Sequence, residues 1–233
     1  MYERALRENL PRVMDTVAAA AERVGRPSAD VRIIAVTKGH PIEAVMAAVG
    51  AGLRTVGENR LAELAAKQET FGRDRCEWHM IGHLQSRKAV QVLGAVDLLH
   101  SLDTVRLAER LQRMHEEDPR TERLSVLAQV NSSGEESKGG IGVEGADDEL
   151  GKILELPALD VRGLMTMAPW TEDEGVLRDA FRRLRELSER VRKADARLGP
   201  ELSMGMSNDY GIAVEEGSTM VRIGTALLGE RSR

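Results

Sequence analysis

The sequence has little cysteine and little aromatic content. Cys76 is its one cysteine among 233 residues, and Phe, Trp and Tyr together make up 3% of the chain. A single thiol excludes a disulfide framework and a thiolate metal cluster built by this chain alone. No apolar run is long enough to cross a bilayer, and residues 1–10 are charged from the third position onward, unlike a signal peptide. We therefore expect a cytoplasmic protein with no membrane partner.

An excess of positive charge is also missing. The 33 Lys and Arg residues are interleaved with 38 Asp and Glu residues, so the net charge is −5. A surface of this kind is not suited to nucleic acid, and we expect no nucleic-acid partner. The apolar content of 42% is enough for a packed core, and the length suits one domain spanning 1–233.

Short apolar segments alternate with helical patterns along the whole chain. Strands are predicted at 33–36, 55–56, 77–81, 97–100, 124–130, 159–166, 201–204 and 220–223, and the longer helices at 2–24, 42–49, 146–155, 173–198 and 208–216. This alternation implies parallel strands joined by right-handed crossovers. Eight such units predict a single (β/α)8 TIM barrel with an extra N-terminal helix. An open doubly wound sheet is the alternative, although its usual Gly-x-Gly-x-x-Gly turn is missing after the first strand.

The first strand ends at a lysine. Ile33–Val36 is a nearly continuous apolar run, and Thr37 and Lys38 follow it before Gly39 breaks the chain. In a parallel barrel the active site is built where the strands end, so Lys38 is expected at the mouth. Two interpretations remain open for this amine: an ordinary lysine paired or reaching solvent, or a nucleophile able to attack an aldehyde.

The loops after the last two strands have the composition of a phosphate site. Strand seven leads through Ser203 and Gly205 to Ser207 at the predicted start of helix 208–216, and strand eight ends Arg222-Ile223-Gly224-Thr225. Phosphate groups in these barrels commonly bind at such loops and at a helix N-terminus. An ordinary helix cap and a surface ion pair are the alternatives. A phosphate site opposite an isolated lysine suits an aldehyde-bearing phosphate ester such as pyridoxal 5′-phosphate (PLP).

These stretches resemble the motifs of the pyridoxal phosphate homeostasis proteins (YggS/PROSC type) over essentially the whole chain. The matching segments are 35–38, 57–59, 79–85, 100–103, 130–141, 163–167, 202–209 and 217–225. The resemblance implies an alanine-racemase-like barrel that holds PLP as a Schiff base on Lys38 and supplies PLP instead of turning over a substrate. It also places Arg222 at the pyridine nitrogen. The resemblance implies that Ser207, Gly224 and Thr225 contact the phosphate. It implies two further cofactor contacts, Asn59 and Ser203.

The function implied by this resemblance is PLP homeostasis by a monomer, with PLP-dependent apo-enzymes as recipients. A guanidinium does not give up its proton, so the ring nitrogen beside Arg222 stays unprotonated and the cofactor is a weak electron sink. The only tyrosines, Tyr2 and Tyr210, offer no evident second base. Two alternatives stay open: a PLP-dependent amino-acid racemase-like enzyme, and an aldolase that uses Lys38 without a cofactor.

Two weaker patterns complete the prediction. His79 and His83 have the spacing of metal ligands, but the segment has the pattern of a strand, and a hydrogen-bonded pair is the simpler interpretation. Lys138 lies in the Gly/Ser-rich loop 131–141, which lacks the full P-loop pattern and is expected to act as a mobile lid. We predict no metal site.

Overall fold

Strands and helices alternate along the chain in the computed structural model, which describes residues 1–117, 122–135 and 138–230. Within these residues the strands are β1 (Arg32–Val36), β2 (Thr55–Glu58), β3 (Glu77–Met80), β4 (Leu98–Leu102), β5 (Leu124–Asn131), β6 (Ile141–Gly142), β7 (Leu159–Met165), β8 (Glu201–Met206) and β9 (Met220–Ile223). The α-helices are α1 (Tyr2–Arg23), α2 (Ile42–Gly50), α3 (Leu61–Phe71), α4 (Val105–Glu117), α5 (Ala146–Leu154), α6 (Glu174–Ala194), α7 (Tyr210–Glu215) and α8 (Thr225–Leu228).

Eight of the strands close into a ring. Their order is β4-β3-β2-β1-β9-β8-β7-β5, and β4 also pairs with β5, so within the described residues the sheet has no free edge apart from the two-residue β6 attached to β5. Every pair is parallel. The predicted (β/α)8 barrel is confirmed, and the open doubly wound alternative is wrong because β4 and β5 join.

The alternation of side chains along each strand divides the core into two layers. Inside the ring lies a small apolar cluster of Ile34, Leu98, Leu127, Met165 and Met220. A much larger cluster fills the space between the strands and the surrounding helices. The predicted N-terminal helix is α1, which packs against α2, α7 and α8 outside the ring. None of the helices in the described residues is long and apolar enough to span a membrane.

Some helices differ from the sequence prediction. Helix α6 starts after Asp173, whose side chain accepts hydrogen bonds from two backbone N–H groups, but it ends at Ala194 and not near residue 198. The carboxylate of Asp195 there binds the backbone N–H of Arg197, which competes with helical hydrogen bonding. Residues Ser86–Val92, between β3 and β4, form a 3₁₀ helix. Helix α8 was not predicted, because four residues are too few for a helical periodicity.

Candidate functional site

Lys38 lies in the turn directly after β1, at the carboxyl end of the barrel, and is half-buried. The backbone on both sides of it is held in place. Thr37 N–H donates to Gly57 O of β2 at 3.1 Å, and Gly39 N–H donates to Glu63 Oε1 of α3 at 2.6 Å. The turn that carries the amine is therefore tied to a strand on one side and to a helix on the other.

A buried lysine, Lys67 of α3, supports this turn from the layer between barrel and helices. Its Nζ donates to Thr37 O at 2.9 Å, to Glu58 Oε1 at 2.7 Å and to Glu63 Oε1 at 2.8 Å. Thr37 Oγ1 also donates to Glu58 Oε1, at 2.5 Å. Burial raises the pKa of Glu58 above its usual value, against the lowering effect of its bonds to Lys67 and Thr37. Lys67 thus holds together the groups that flank Lys38.

The sequence analysis missed Lys67. The signal was available, because Leu61, Leu64, Lys67 and Phe71 are the buried residues of α3, and a lysine within an apolar helical stripe needs a partner. Glu63 is one turn earlier on the same helix, and Glu58 ends the preceding strand. The pattern could therefore have predicted a buried ion pair, although not its contact with the Lys38 turn.

The candidate phosphate site lies across β8 and β9, at a different helix from the one expected. Ser207 was predicted at the start of helix 208–216, but α7 begins only at Tyr210. Instead, Ser207 Oγ accepts the backbone N–H of Ala226 at 3.3 Å, in the first turn of α8. Gly224 and Thr225 precede or begin that helix, where N–H groups have no carbonyl within the helix to bind. Ser207, Gly224 and Thr225 thus come together at one helix N-terminus, and their contact with a phosphate stays a prediction.

The loop between β8 and α7 is shaped by a glycine and an aspartate. Gly205 has φ +95°, and a Cβ there would lie 2.6 Å from Ala213 Cβ and 2.9 Å from Tyr210 Cα. Its lack of a side chain therefore lets α7 pack directly on β8. Asp209 is buried, and its Oδ1 accepts the Met206 N–H at 2.5 Å. Burial raises the pKa of Asp209, an effect partly offset by that bond and by Arg222.

Arg222 of β9 is buried inside the barrel beneath this mouth. One terminal nitrogen donates to Ser203 O at 2.8 Å and Ser203 Oγ at 2.6 Å, and the other donates to Thr166 O at 2.9 Å. Burial lowers the pKa of Arg222 to about 10, so the guanidinium is still protonated at neutral pH. Three of its five N–H donors therefore hold it on β8 and on Thr166, which directly follows β7. Ser203, predicted as a cofactor contact, here contacts Arg222; its role toward a cofactor stays a prediction.

Two histidines continue this polar cluster through the barrel. His100 Nδ1 is 2.9 Å from Ser203 Oγ, and His100 Nε2 is 2.9 Å from His79 Nδ1. Burial lowers the pKa of His79 to about 3, with a smaller contribution from the positive charge of Arg32. Burial also lowers the pKa of His100 well below its usual value, and His79 and Arg222 act in the same direction. Both imidazoles are therefore neutral at pH 7.

These histidines predict that the protein loses stability in mild acid. Unfolding exposes them to water, where their pKa returns to about 6.5, so below that pH the unfolded state binds protons that the folded state refuses. For His79 alone the free energy of unfolding should fall by about 2 kcal/mol between pH 7.5 and 5, and His100 adds to the loss. Urea unfolding at several pH values measures this.

The natural chain should be compared with the variant His79→Asn. The raised pKa of Glu58 changes the free energy of unfolding with pH in the opposite direction, and both proteins contain this group. The variant should show a shallower decline than the natural chain between pH 6.5 and 5. Equal slopes in the natural chain and in His79→Asn would show that folding does not lower the pKa of His79.

The other predicted positions lie around the mouth. Asn59 is exposed in the bend after β2, where Gly82 packs so closely that a Cβ on it would lie 2.3 Å from Asn59 O. Its contact with a cofactor stays a prediction. His83 does not join His79; its Nδ1 is 3.0 Å from Asp103 Oδ2 at the ends of β3 and β4. In the described part of the chain, no three His, Cys, Asp or Glu side chains are grouped as a metal site requires.

The loop after β5 folds back onto the barrel rim. Lys138 Nζ donates to Ala168 O and pairs with Glu135 Oε2 at 3.2 Å, while Asn131 Nδ2 donates to Lys138 O at 3.0 Å. The chain then enters β6, so Lys138 does not precede a helix as a P-loop lysine does. Glu136 and Ser137 of this loop lie outside the described residues, and its role as a mobile lid stays a prediction.

Comparison with known proteins assigns this architecture to a family. The sequence profile of the family described as "Alanine racemase, N-terminal domain" matches residues 5–232. A curated relative, the pyridoxal phosphate homeostasis protein of Aquifex aeolicus, is 40% identical over 224 residues, which cover 96% of this chain and 97% of that protein.

Two solved structures are similar in fold. PipY of Synechococcus elongatus, solved with PLP bound, superposes with a TM-score of 0.78 at 34% identity and covers 91% of this chain and 100% of its own. An alanine racemase of Clostridium difficile has a TM-score of 0.75 at 14% identity, covering 94% of this chain and 56% of its own. The second similarity concerns the fold alone.

Proposed function

The chain belongs to the alanine racemase N-terminal domain family and groups there with the pyridoxal phosphate homeostasis proteins, and on that premise we propose that it binds PLP through Lys38 and takes part in PLP homeostasis. The observation that carries the proposal is the arrangement around one barrel mouth. An amine follows β1, hydrogen-bond donors gather at α8, and a buried guanidinium lies between β7, β8 and β9.

Each part of PLP has a matching group in this arrangement. The aldehyde requires an amine, which is Lys38, held at a strand end by the bonds around Thr37 and Gly39. The phosphate requires donors, which the hydroxyls of Ser207 and Thr225 and the Thr225 N–H at the start of α8 can provide. The pyridine nitrogen requires a donor that keeps its own proton, as Arg222 does at neutral pH. The residues present therefore fit the cofactor, held as a Schiff base on Lys38.

We further propose that the chain carries PLP without turnover. PLP supplies a reactive aldehyde and an electron-withdrawing ring, and the ring withdraws electrons best when its nitrogen is protonated. Arg222 does not provide that proton. Positioned proton transfer contributes about 10²- to 10⁴-fold to reactions such as racemisation, and it needs an acid or base side chain held next to the reacting atom. Of the two tyrosines considered above as a second base, Tyr2 lies at the start of α1, and its hydroxyl is 3.2 Å from His40 Nδ1. We propose a monomer in the cytoplasm that serves PLP-dependent apo-enzymes.

A transfer experiment tests this function. The full chain is loaded with PLP, freed of excess cofactor and mixed with an apo-enzyme whose activity depends on PLP. Recovery of that activity, without formation of D-alanine from L-alanine by the chain alone, is the expected result. Production of D-alanine at ordinary enzyme rates would instead establish the racemase alternative, and a chain that never acquires PLP absorbance would favour the cofactor-free aldolase.

A further inference from the structure

A continuous line of buried polar groups crosses the inside of the barrel. It runs from His79 on β3 through His100 on β4 and Ser203 on β8 to Arg222 on β9, and these side chains are between 0% and 5% exposed. The three links measure 2.9, 2.9 and 2.6 Å. Strands β4 and β8 are not neighbours in the ring, so the line spans the barrel interior from one wall to another.

Arg222, the last member of this line, determines where the protons of Ser203, His100 and His79 lie. A guanidinium has donors only, so the Arg222 N–H donates to Ser203 Oγ. The single Ser203 O–H then donates to His100 Nδ1, which leaves the His100 proton on Nε2. That Nε2–H donates to His79 Nδ1, and the second imidazole is likewise protonated at Nε2.

The opposite direction of these hydrogen bonds, from His79 toward Ser203, is unfavourable both at Ser203 and at His79. It would aim N–H groups of Arg222 and His100 together at Ser203 Oγ and leave the serine proton outside the line. It would also turn an unprotonated His79 Nε2 toward the carboxylate of Glu77, whose Oε2 is 3.7 Å away. In the order above, the His79 Nε2–H faces that negative charge. The contact of His79 with Glu77 and the donor-only chemistry of Arg222 therefore indicate the same hydrogen-bond direction.

We propose that His79, His100 and Ser203 form a hydrogen-bond line of one direction, which fixes both imidazoles as Nε2–H tautomers and holds Arg222 in place for the cofactor ring. The second half of this inference rests on the function proposed above. His100 and Ser203 are positioning residues, because they act on the cofactor through Arg222. Without the line, the Ser203 hydroxyl could rotate away from Arg222, and the guanidinium would keep only its bonds to Ser203 O and Thr166 O.

The tautomers can be measured without any cofactor. In the full ligand-free chain labelled with ¹⁵N-histidine, long-range ¹H–¹⁵N NMR distinguishes the two neutral forms and the charged form. At pH 7 we expect two histidines in the Nε2–H form with a direct correlation across the His79–His100 bond. Either ring as an Nδ1–H tautomer or an imidazolium would overturn the inference.

A pair of buried serines gives a matched comparison. Ser203→Ala breaks the line, and the His100 signals should move toward a mixture of tautomers. Ser218 is equally buried, but its hydroxyl binds backbone carbonyls of Leu202, Met204 and Met220. Ser218→Ala should therefore leave the histidine signals unchanged, and equal spectral changes in the two variants would overturn the inference.

The cofactor readout tests the positioning role. His100→Phe should weaken PLP binding about tenfold and shift the visible absorption band, since a buried hydrogen bond is worth about 1.4 kcal/mol. His100→Asn retains an acceptor for the Ser203 hydroxyl and should recover most of the affinity. Unchanged affinity and absorption in folded His100→Phe and Ser203→Ala would show that the line is structural only. A natural chain that binds no PLP would refute the proposed function, while the NMR result would still decide the tautomers.

Discussion

Replacing Lys38 by alanine is expected to remove the covalent attachment of PLP completely. The natural chain mixed with PLP should develop the visible absorbance of a Schiff base, and borohydride reduction should fix the cofactor irreversibly to one peptide. Mass mapping of the digest should then place the label on Lys38. Lys38→Ala should show neither the absorbance nor the label, because Lys38 is the lysine that follows β1.

The other lysines near the site provide the controls. Lys67 is buried with three acceptors around Nζ, and Lys138 is bound to Ala168 O, so neither amine is available without breaking bonds. Lys138→Ala should retain full labelling. Lys38→Arg keeps the positive charge without a reactive amine, and it separates loss of the covalent bond from loss of charge. Label on Lys138, on Lys88 of the 3₁₀ helix Ser86–Val92, or on no residue would refute the assignment of Lys38.

Introducing a negative charge at Ser207 should nearly abolish PLP binding. The phosphate is expected at the N-terminus of α8, where Ser207 Oγ accepts the Ala226 N–H. A carboxylate about 5 Å from a phosphate charge costs about 3 kcal/mol at an effective dielectric constant near 20, so Ser207→Asp should weaken binding more than a hundredfold. Ser207→Ala should cost about tenfold, since it removes one hydroxyl.

This loss should not come from unfolding. An aspartate can accept the same N–H at the start of α8, where negative charge is favourable, so Ser207→Asp should be at least as stable as the natural chain without ligand. Ser207→Asn is the matched neutral control and should bind PLP far better than Ser207→Asp. Titration of all variants with PLP, with thermal melts of the free proteins, makes the comparison.

The same site predicts selectivity for the phosphorylated vitamer. Charge-assisted hydrogen bonds and the helix N-terminus together contribute roughly 4 kcal/mol, or about three decades in affinity. Pyridoxal should therefore bind the natural chain about a thousandfold more weakly than PLP, and Ser207→Asp should reduce that difference. Equal affinity for the two vitamers, or normal PLP binding by Ser207→Asp, would place the phosphate elsewhere.

Much of this architecture follows from local patterns in the chain. Strand and helix periodicities depend on residues a few positions apart, so the alternating units and the end of β1 at Lys38 could be predicted without coordinates. The position of a residue after a barrel strand also brings it to the mouth, which is why Lys38, Ser207 and Thr225 could be named together. The boundaries of α6, α7 and α8 were less accessible, because side-chain bonds such as that of Asp195 compete with the helix at its ends.

By itself, the sequence determined the alternation of strands and helices, the lysine at a strand end and the composition of the two loops opposite it. Tertiary structure alone decided which helix receives Ser207, that Lys67 supports the Lys38 turn, and that His100 reaches Ser203 across the barrel. His100 and Ser203 are 103 positions apart in the chain. Contacts of that kind depend on the register of every strand between them and on the closure of β4 onto β5, and no local pattern contains that information.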